Sequence, residues 1–396
     1  MLKKYRLKFH KLSPAQYVQL AGLVAIAALL LFRLSSLTHG LSQNELFAAQ
    51  TTLGWHGIYQ HPFYLSLEVI RSVLFTLFTH HGVAVIRLAN VAVGALSIVA
   101  FARLLQLWYG GRTAFFGSIL FASSAWTLHV SRLASNDVLY LSAIPLLFVV
   151  QHWLRKPTNR LQTHASLLIW GSLLYVPGLV WLIALQVWLQ RKDVLAGFKR
   201  QQKLSQRLTY ALCVLVWLPL LLIHVSRSLS NFSLWLGLPN QWVGFTELTK
   251  QMLSVPVHLF IHGPKQPELW LGRAALLDIF SLVLCIIGIY FYTTHFKAGR
   301  SRWLLSFLAL SILLVGLGGP VPLSLIVPLL YVFTACGFGY LAHDWLKVFP
   351  SNPLARGIGI GLLALAVMAS STYNLRAYFV AWPHTHDVTT TFISRP

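Results

Sequence analysis

Acidic residues are scarce in this chain: nine Asp plus Glu stand against 31 Lys plus Arg in 396 residues. Charge of either sign is scarce too, at 10% of residues, far below the roughly 25% of soluble domains. That excludes an ordinary soluble fold. The three cysteines, Cys213, Cys285 and Cys336, all fall inside apolar runs. They form neither a disulfide framework nor a metal-binding spacing and read as small packing residues. Hydrophobic length takes the place of charge. The chain is 56% hydrophobic, and apolar runs recur along it that are long enough to cross a hydrocarbon core, which needs roughly 20 residues. The expectation is an all-α polytopic membrane protein. A net charge of +22 would suggest a nucleic-acid partner in a soluble protein. Here the cations sit in short loops, where the cytoplasmic-face bias and contact with anionic lipid account for them without nucleic acid.

Loop charge sets an expected topology. Lys3, Lys4, Arg6, Lys8 and Lys11 precede the first apolar run, 17-YVQLAGLVAIAALLLF-32. They place the N-terminus in the cytoplasm, the run being a retained signal-anchor, and the loop 35–81 outside. Within that loop, 63-FYLSLEVIRSVLFTLF-78 is apolar but carries Glu68 and Arg71, so it reads as an interfacial helix. Spans follow at 83–106, 113–130 and 138–154. Segment 165–190 covers only roughly 39 Å as helix, short for two crossings. As one span, however, it would leave Arg191, Lys192, Lys199, Arg200, Lys203 and Arg207 on the outer face. A hairpin of short helices broken at 175-YVPG-178 satisfies both constraints. Further spans are expected at 208–226, 273–296, 303–318, 321–341 and 357–373. The total is about eleven crossings, and a helix over 245–262 should be interrupted at Pro256.

On this topology the acids sort unevenly. Asp193 and Asp344 lie inside, Asp278 lies a turn within an outer helix end, and Glu45, Glu68, Asp137, Glu247, Glu268 and Asp387 lie outside. Carboxylate chemistry is therefore available on the outer face. The richest stretch is 40-GLSQNELFAAQTTLGWHGIYQHP-62, with Glu45 early in a short helix, then Gly-Trp-His-Gly, then His61-Pro62. His56 and His61 do not share a helical face and have no acid at a matching offset, which argues against a metal site.

With 86-IRLANVAVGALSIVAFARLLQLWYGGRTAFFGSILFASSAWTLHVSRLASND-137 added, the chain resembles the GT-C glycosyltransferases. The similar branch is that of the protein O-mannosyltransferases and lipid A aminoarabinose transferases. The residues that carry the likeness are Asn44-Glu45, His61-Pro62, Arg87-Leu88 and the Ser131–Asp137 stretch, over about residues 15–190, with 373-YNLRAYFVAWP-383 beyond the last span. The resemblance implies a conserved membrane module over 1–226, a second outer loop over 227–272 carrying acceptor specificity, and variable helices with an outer tail over 273–396. It implies an enzyme of the plasma membrane, acting at the outer face. The reaction would be inverting sugar transfer from a polyprenyl-phosphate donor to a lipid, glycan or protein acceptor. No cofactor is certain, and a divalent cation stays open.

One departure bears on mechanism. The family places its catalytic Asp where this chain has Asn44, and an amide cannot take a proton as a base. That role then falls to Glu45 or Asp137, or it is lost and the chain is a non-catalytic lipid-sugar binder or transporter on the same scaffold. Each residue also has a plainer reading. Glu45 can be a solvated acid at a helix start, and Asp137 can bind the acceptor, support a metal, or merely cap the fourth span with Asn136. Arg87 and Arg132 can hold a lipid phosphate through a planar fork or simply snorkel to headgroups. The resemblance places Arg376 and Tyr378 over the donor lipid; an interfacial anchor is the alternative. Asn44 and His61 complete the expected substrate-binding set.

Overall fold

The computed structural model describes residues 14–38, 40–51, 63–78, 82–155, 160–192, 229–264 and 274–393, with isolated positions such as Leu220, Glu268 and Leu271. Regular structure among them is helical. The run 208–226 expected to span, apart from isolated positions, and the 52–62 stretch with His56 and His61 lie outside the described residues. Helix α1 covers Pro14–Leu31, α2 Gln43–Thr51, α3 Leu65–Leu77, α4 Val83–Tyr109, α5 Gly111–Ser123, α6 Ala125–Arg132, α7 Asp137–Arg155, α8 Arg160–Leu174 and α9 Leu179–Leu189. Then come α10 Leu229–Trp235, α11 Phe245–Phe260, α12 Ile279–Thr294, α13 Gly299–Gly316, α14 Val327–Val348, α15 Pro353–Arg376 and the short α16 His386–Thr391.

Five helical segments among the described residues are long and apolar enough to cross a membrane, and a sixth is counted if a bent pair is one span. The chain is an integral membrane protein. The expected eleven crossings are not confirmed in number: Gln19–Leu31 of α1, α9 and α12 are apolar but shorter than these spans, and 208–226 lies largely outside the described residues. In lipid the helices gain little from burying apolar surface against one another, so close backbone approach and shape complementarity hold them. Helices α12 and α14 show this. A Cβ on Gly288 would overlap the Phe333 carbonyl, and one on Gly337 would overlap that of Leu284.

Three sequence expectations meet local structure. The hairpin over 165–190 is present: the helix breaks at Gly178, whose φ of 78° favours glycine. Trp170 Nε1 then donates to Gln186 Oε1 at 3.2 Å. Sixteen residues of continuous helix would hold those two roughly 24 Å apart, so the chain must double back. The expected span over 113–130, in contrast, is bent by 60° between α5 and α6. Asn374 of α15 explains the break, because its Oδ1 accepts from the first α6 amide, Ala125 N, at 3.2 Å and replaces the intrahelical partner. The expected interruption at Pro256 is also corrected. Helix α11 runs through it, packed so closely on α13 that a Cβ on Gly316 would touch Met252.

The break at Ser124 turns α6 so that every one of its residues is buried. It delivers Arg132, at its C-terminus, to the end of the bundle where α4 and α7 begin. The candidate site is assembled there.

Candidate functional site

Residues Ser42 to Glu45 form a reciprocal N-terminal cap for α2. Ser42 Oγ accepts from Glu45 N at 3.2 Å, and Glu45 Oε2 accepts from Ser42 N at 3.1 Å. Ser-x-x-Glu is the sequence signature of this box. The Glu45 carboxylate has further donors: Arg87 Nε and Nη2 each reach it at 2.8 Å, and Ala134 N at 2.9 Å. A carboxylate has about four acceptor sites, and all are used. Arg87 is equally committed. Nη1 donates to Leu34 O at 3.2 Å and Thr38 Oγ1 at 3.1 Å, and Nη2 also donates to Gly40 O at 3.2 Å.

This geometry corrects two expectations. Glu45 is no solvated carboxylate, being 2% exposed, and Arg87, 3% exposed, has no donor left for a lipid phosphate. Together they tie the chain after α1, the start of α2, α4 and the turn at Ala134 into one rigid corner. Arg71 of α3 clamps the same turn from the other side. It donates to Glu68 Oε1 at 2.8 Å, Asn90 Oδ1 at 3.3 Å and Ala134 O at 3.2 Å. Burial lowers the Arg71 pKa, and the neighbouring Glu68 carboxylate opposes that shift.

Against this corner lies a cavity of about 510 Å³ lined by Asn44, Glu45, Tyr64, Glu68, Arg71, Asp137 and Glu268, among others. Its volume is that of a small-molecule site. Four of the nine acids of the chain line it, yet they are not equivalent. Glu45 and Glu68 are paired with arginines. Asp137 accepts from the Ser324 hydroxyl at 3.4 Å, and Glu268 accepts from Asn44 Nδ2 at 2.6 Å. These two have neutral hydrogen-bond partners and keep acceptor capacity for a substrate.

Tyr64 lines the cavity with φ at 63°, a conformation that costs a bulky residue about 1–3 kcal/mol. Its backbone N–H donates to Tyr175 O at 2.9 Å and its ring meets Tyr140 edge-on at 6.4 Å. Those contacts with the hairpin turn and α7 hold it there. Burial pushes its phenol up to about 12, so it offers a neutral hydroxyl.

Arg132 lies on the far side of the Leu133–Ala134 turn, 2% exposed. Nη2 donates to Phe32 O at 2.5 Å, while Nε and Nη1 have no partner. Its guanidinium carbon sits 5.2 Å from the Tyr378 ring centre and 4.8 Å from that of Phe379. No carboxylate among the described residues pairs with it. A cleft of only about 10 Å³ is lined by Arg87, Arg132, Tyr378 and Trp382. Trp382 stacks on Tyr378 at 5.3 Å and meets the His129 ring at 4.7 Å.

The structure therefore brings Asn44, Glu45, Asp137, Arg87, Arg132 and Tyr378 to one end of the bundle. Arg376 is exposed and lines neither pocket, and His61 lies outside the described residues. Sequence reasoning missed the part played by Arg71, Tyr64, His129 and Glu268. Arg71 carried a signal as the lone cation in an apolar helix, and Glu268 carried one as an acid in the second outer loop. Among the described residues no group of three His, Cys, Asp or Glu side chains is arranged to hold a metal ion.

This membrane bundle shares its fold with solved structures of ArnT and of the oligosaccharyltransferase AglB. It is similar to ArnT from Cupriavidus metallidurans in the apo state, with a TM-score of 0.52 at 14% identity over 95% of this chain and 77% of that one. The same enzyme bound to undecaprenyl phosphate gives 0.50 at 13% identity, with the same coverage. The archaeal oligosaccharyltransferase AglB from Archaeoglobus fulgidus, in complex with an inhibitory peptide and a dolichol-phosphate, gives 0.57 at 14% identity over 94% of this chain. This chain spans 57% of AglB. No family model matches the sequence, and no curated protein does.

Proposed function

We propose that this protein transfers a sugar from a polyprenyl-phosphate donor to an acceptor at the outer face of the plasma membrane. The observation that carries the reading is Arg132: a buried cation with two unpaired nitrogens and no carboxylate partner among the described residues. An uncompensated buried charge is expensive, and a lipid phosphate is the anion whose geometry suits its planar fork. The pocket at Arg132 adjoins the Leu133–Ala134 turn, whose other side faces the carboxylate-lined cavity. With Tyr378 and Trp382 moved aside to admit a phosphate at Arg132, and a sugar on the other side of the turn, the bond to be broken would lie near Asp137. Both similar structures named with a lipid ligand contain a polyprenyl phosphate.

In this reading Asp137 is the group that takes the acceptor's proton, since Glu45 is committed to Arg87. Asn44 positions Glu268, and Tyr378 covers the phosphate. Charge supports the orientation. The end of the bundle opposite the cavity holds Arg112, Arg155, Lys297, Arg300 and Arg302, as expected of a cytoplasmic face. A second reading, lipid-sugar binding without transfer, is favoured by Asn44 standing where a catalytic Asp is expected. Incubating the purified protein with polyprenyl-phosphate sugars and following free polyprenyl phosphate by mass spectrometry separates the two. Release with each transfer supports the enzyme; donor binding without release supports the binder.

A further inference from the structure

Asp137 faces two cavities. Beyond it from the first lies a second, of about 760 Å³, lined by Trp126, Gln251, Ser254, His258 and Ser324 together with Asp137 itself. It is built by α11, the end of α13 and the 318–324 turn, none of which touches the donor-side pocket at Arg132. From this placement we infer that the second cavity is the acceptor site, and that its acceptor is a neutral, hydroxyl-rich group such as a glycan rather than a phosphate or an amine. The inference rests on the transfer reading above and names the partner substrate of that reaction.

The lining carries the argument. Its side chains are an indole, an amide, two hydroxyls and an imidazole, which offer donors and acceptors to hydroxyl groups. Two of its lining residues, Trp126 and Gln251, each carry a buried polar atom, Nε1 and Oε1, with no partner in the protein, and Trp126 is 2% exposed. Buried polar groups left unpaired are rare and call for a partner. No Lys or Arg is among the described lining residues, and Asp137 is the one carboxylate. A phosphate would stand beside that negative charge with no cation to balance it. A protonated amine would be attracted but holds no lone pair for attack. A hydroxyl fits: its oxygen bonds to the donor's anomeric carbon, and the bond from that carbon to the phosphate oxygen breaks with its electron pair on the phosphate. The hydroxyl proton passes to Asp137, whose Ser324 hydrogen bond holds it at the wall between the cavities. A site made of such groups discriminates strongly against ligands that cannot complete its hydrogen bonds.

Saturation-transfer NMR on the purified full-length protein tests this, with methyl α-mannoside, methyl α-glucoside and methyl N-acetylglucosaminide as probes. Their 6-phosphates and a methyl glucosaminide serve as comparisons. At least one neutral glycoside should bind, on the order of tenfold better than its phosphate. Ser254→Trp fills the cavity and should abolish the signal, and Gln251→Ala should weaken it, with undecaprenyl phosphate binding intact in both. Binding that prefers the phosphate or the amine overturns the inference. So does the absence of glycoside binding, or glycoside binding that survives both variants. Glycoside binding lost in Ser254→Trp, in a parent that transfers no sugar, supports the cavity assignment while refuting the transfer reading.

Discussion

Glu45 and Arg87 meet through two parallel hydrogen bonds of 2.8 Å, buried at the corner where the first loop joins α4. Forty-two residues apart in sequence, they form a strut, and the Glu45 carboxylate spends all its acceptor sites on protein donors. Glu45→Gln should therefore act on stability first. Breaking a buried pair by removing one charge typically costs about 3–5 kcal/mol, so thermal unfolding in detergent should shift down markedly. A variant with unchanged unfolding temperature and no transfer would instead make Glu45 a chemical participant.

Arg132 should behave in the opposite sense. Its charge is uncompensated within the protein, so Arg132→Met should leave stability unchanged or raise it without donor lipid, while abolishing donor binding. Arg132→Lys keeps a point charge but loses the fork, and should weaken undecaprenyl phosphate binding by about 1.5–3 kcal/mol. Native mass spectrometry with the lipid measures both. Unaltered binding in both variants would leave Arg132 as a structural residue only.

Asn44→Asp would set a second carboxylate 2.6 Å from Glu268. Two carboxylates that close cannot both ionise freely, so a raised pKa in the folded state is expected for the pair. The sign follows: the variant matches the parent below about pH 3, where both groups are protonated folded and unfolded. It loses stability as pH rises through the unfolded carboxylate range. Unfolding temperatures between about pH 3 and 8 check this, and parallel curves for variant and parent would contradict the contact.

Gly288→Ala and Gly337→Ala probe the scaffold. Each adds a methyl where a carbonyl of the facing helix already stands, and overpacking of this kind costs typically about 1–3 kcal/mol. Both should unfold at lower temperature than the parent, whereas Gly361→Ala, with nothing within 4 Å of its Cβ position, should not.

Much of the architecture was legible because it is written in hydrophobic run length and loop charge. The hairpin at 175–178 follows from both, and Gly178 supplies the backbone freedom the turn needs. The bend at Ser124 was not legible, since it depends on Asn374, 249 residues away. At the site, the sequence singled out Asn44, Asp137 and Arg132 along with Glu45 and Arg87, which the fold gathers at one end of the bundle. It misjudged Glu45 and Arg87 because the same charge pattern describes solvated groups and a buried pair. The Ser42–Glu45 box was a local signal that went unread; the pairing with Arg87 required tertiary structure.

The most direct test of the transfer account is a single-turnover reaction with a labelled polyprenyl-phosphate sugar, comparing the parent with Asp137→Asn. Donor binding is measured in the same samples. The account predicts labelled product from the parent, and from Asp137→Asn a loss of about 10²–10⁴-fold in rate with donor binding retained. Normal turnover in Asp137→Asn, or a parent that binds the donor and never transfers its sugar, would contradict it.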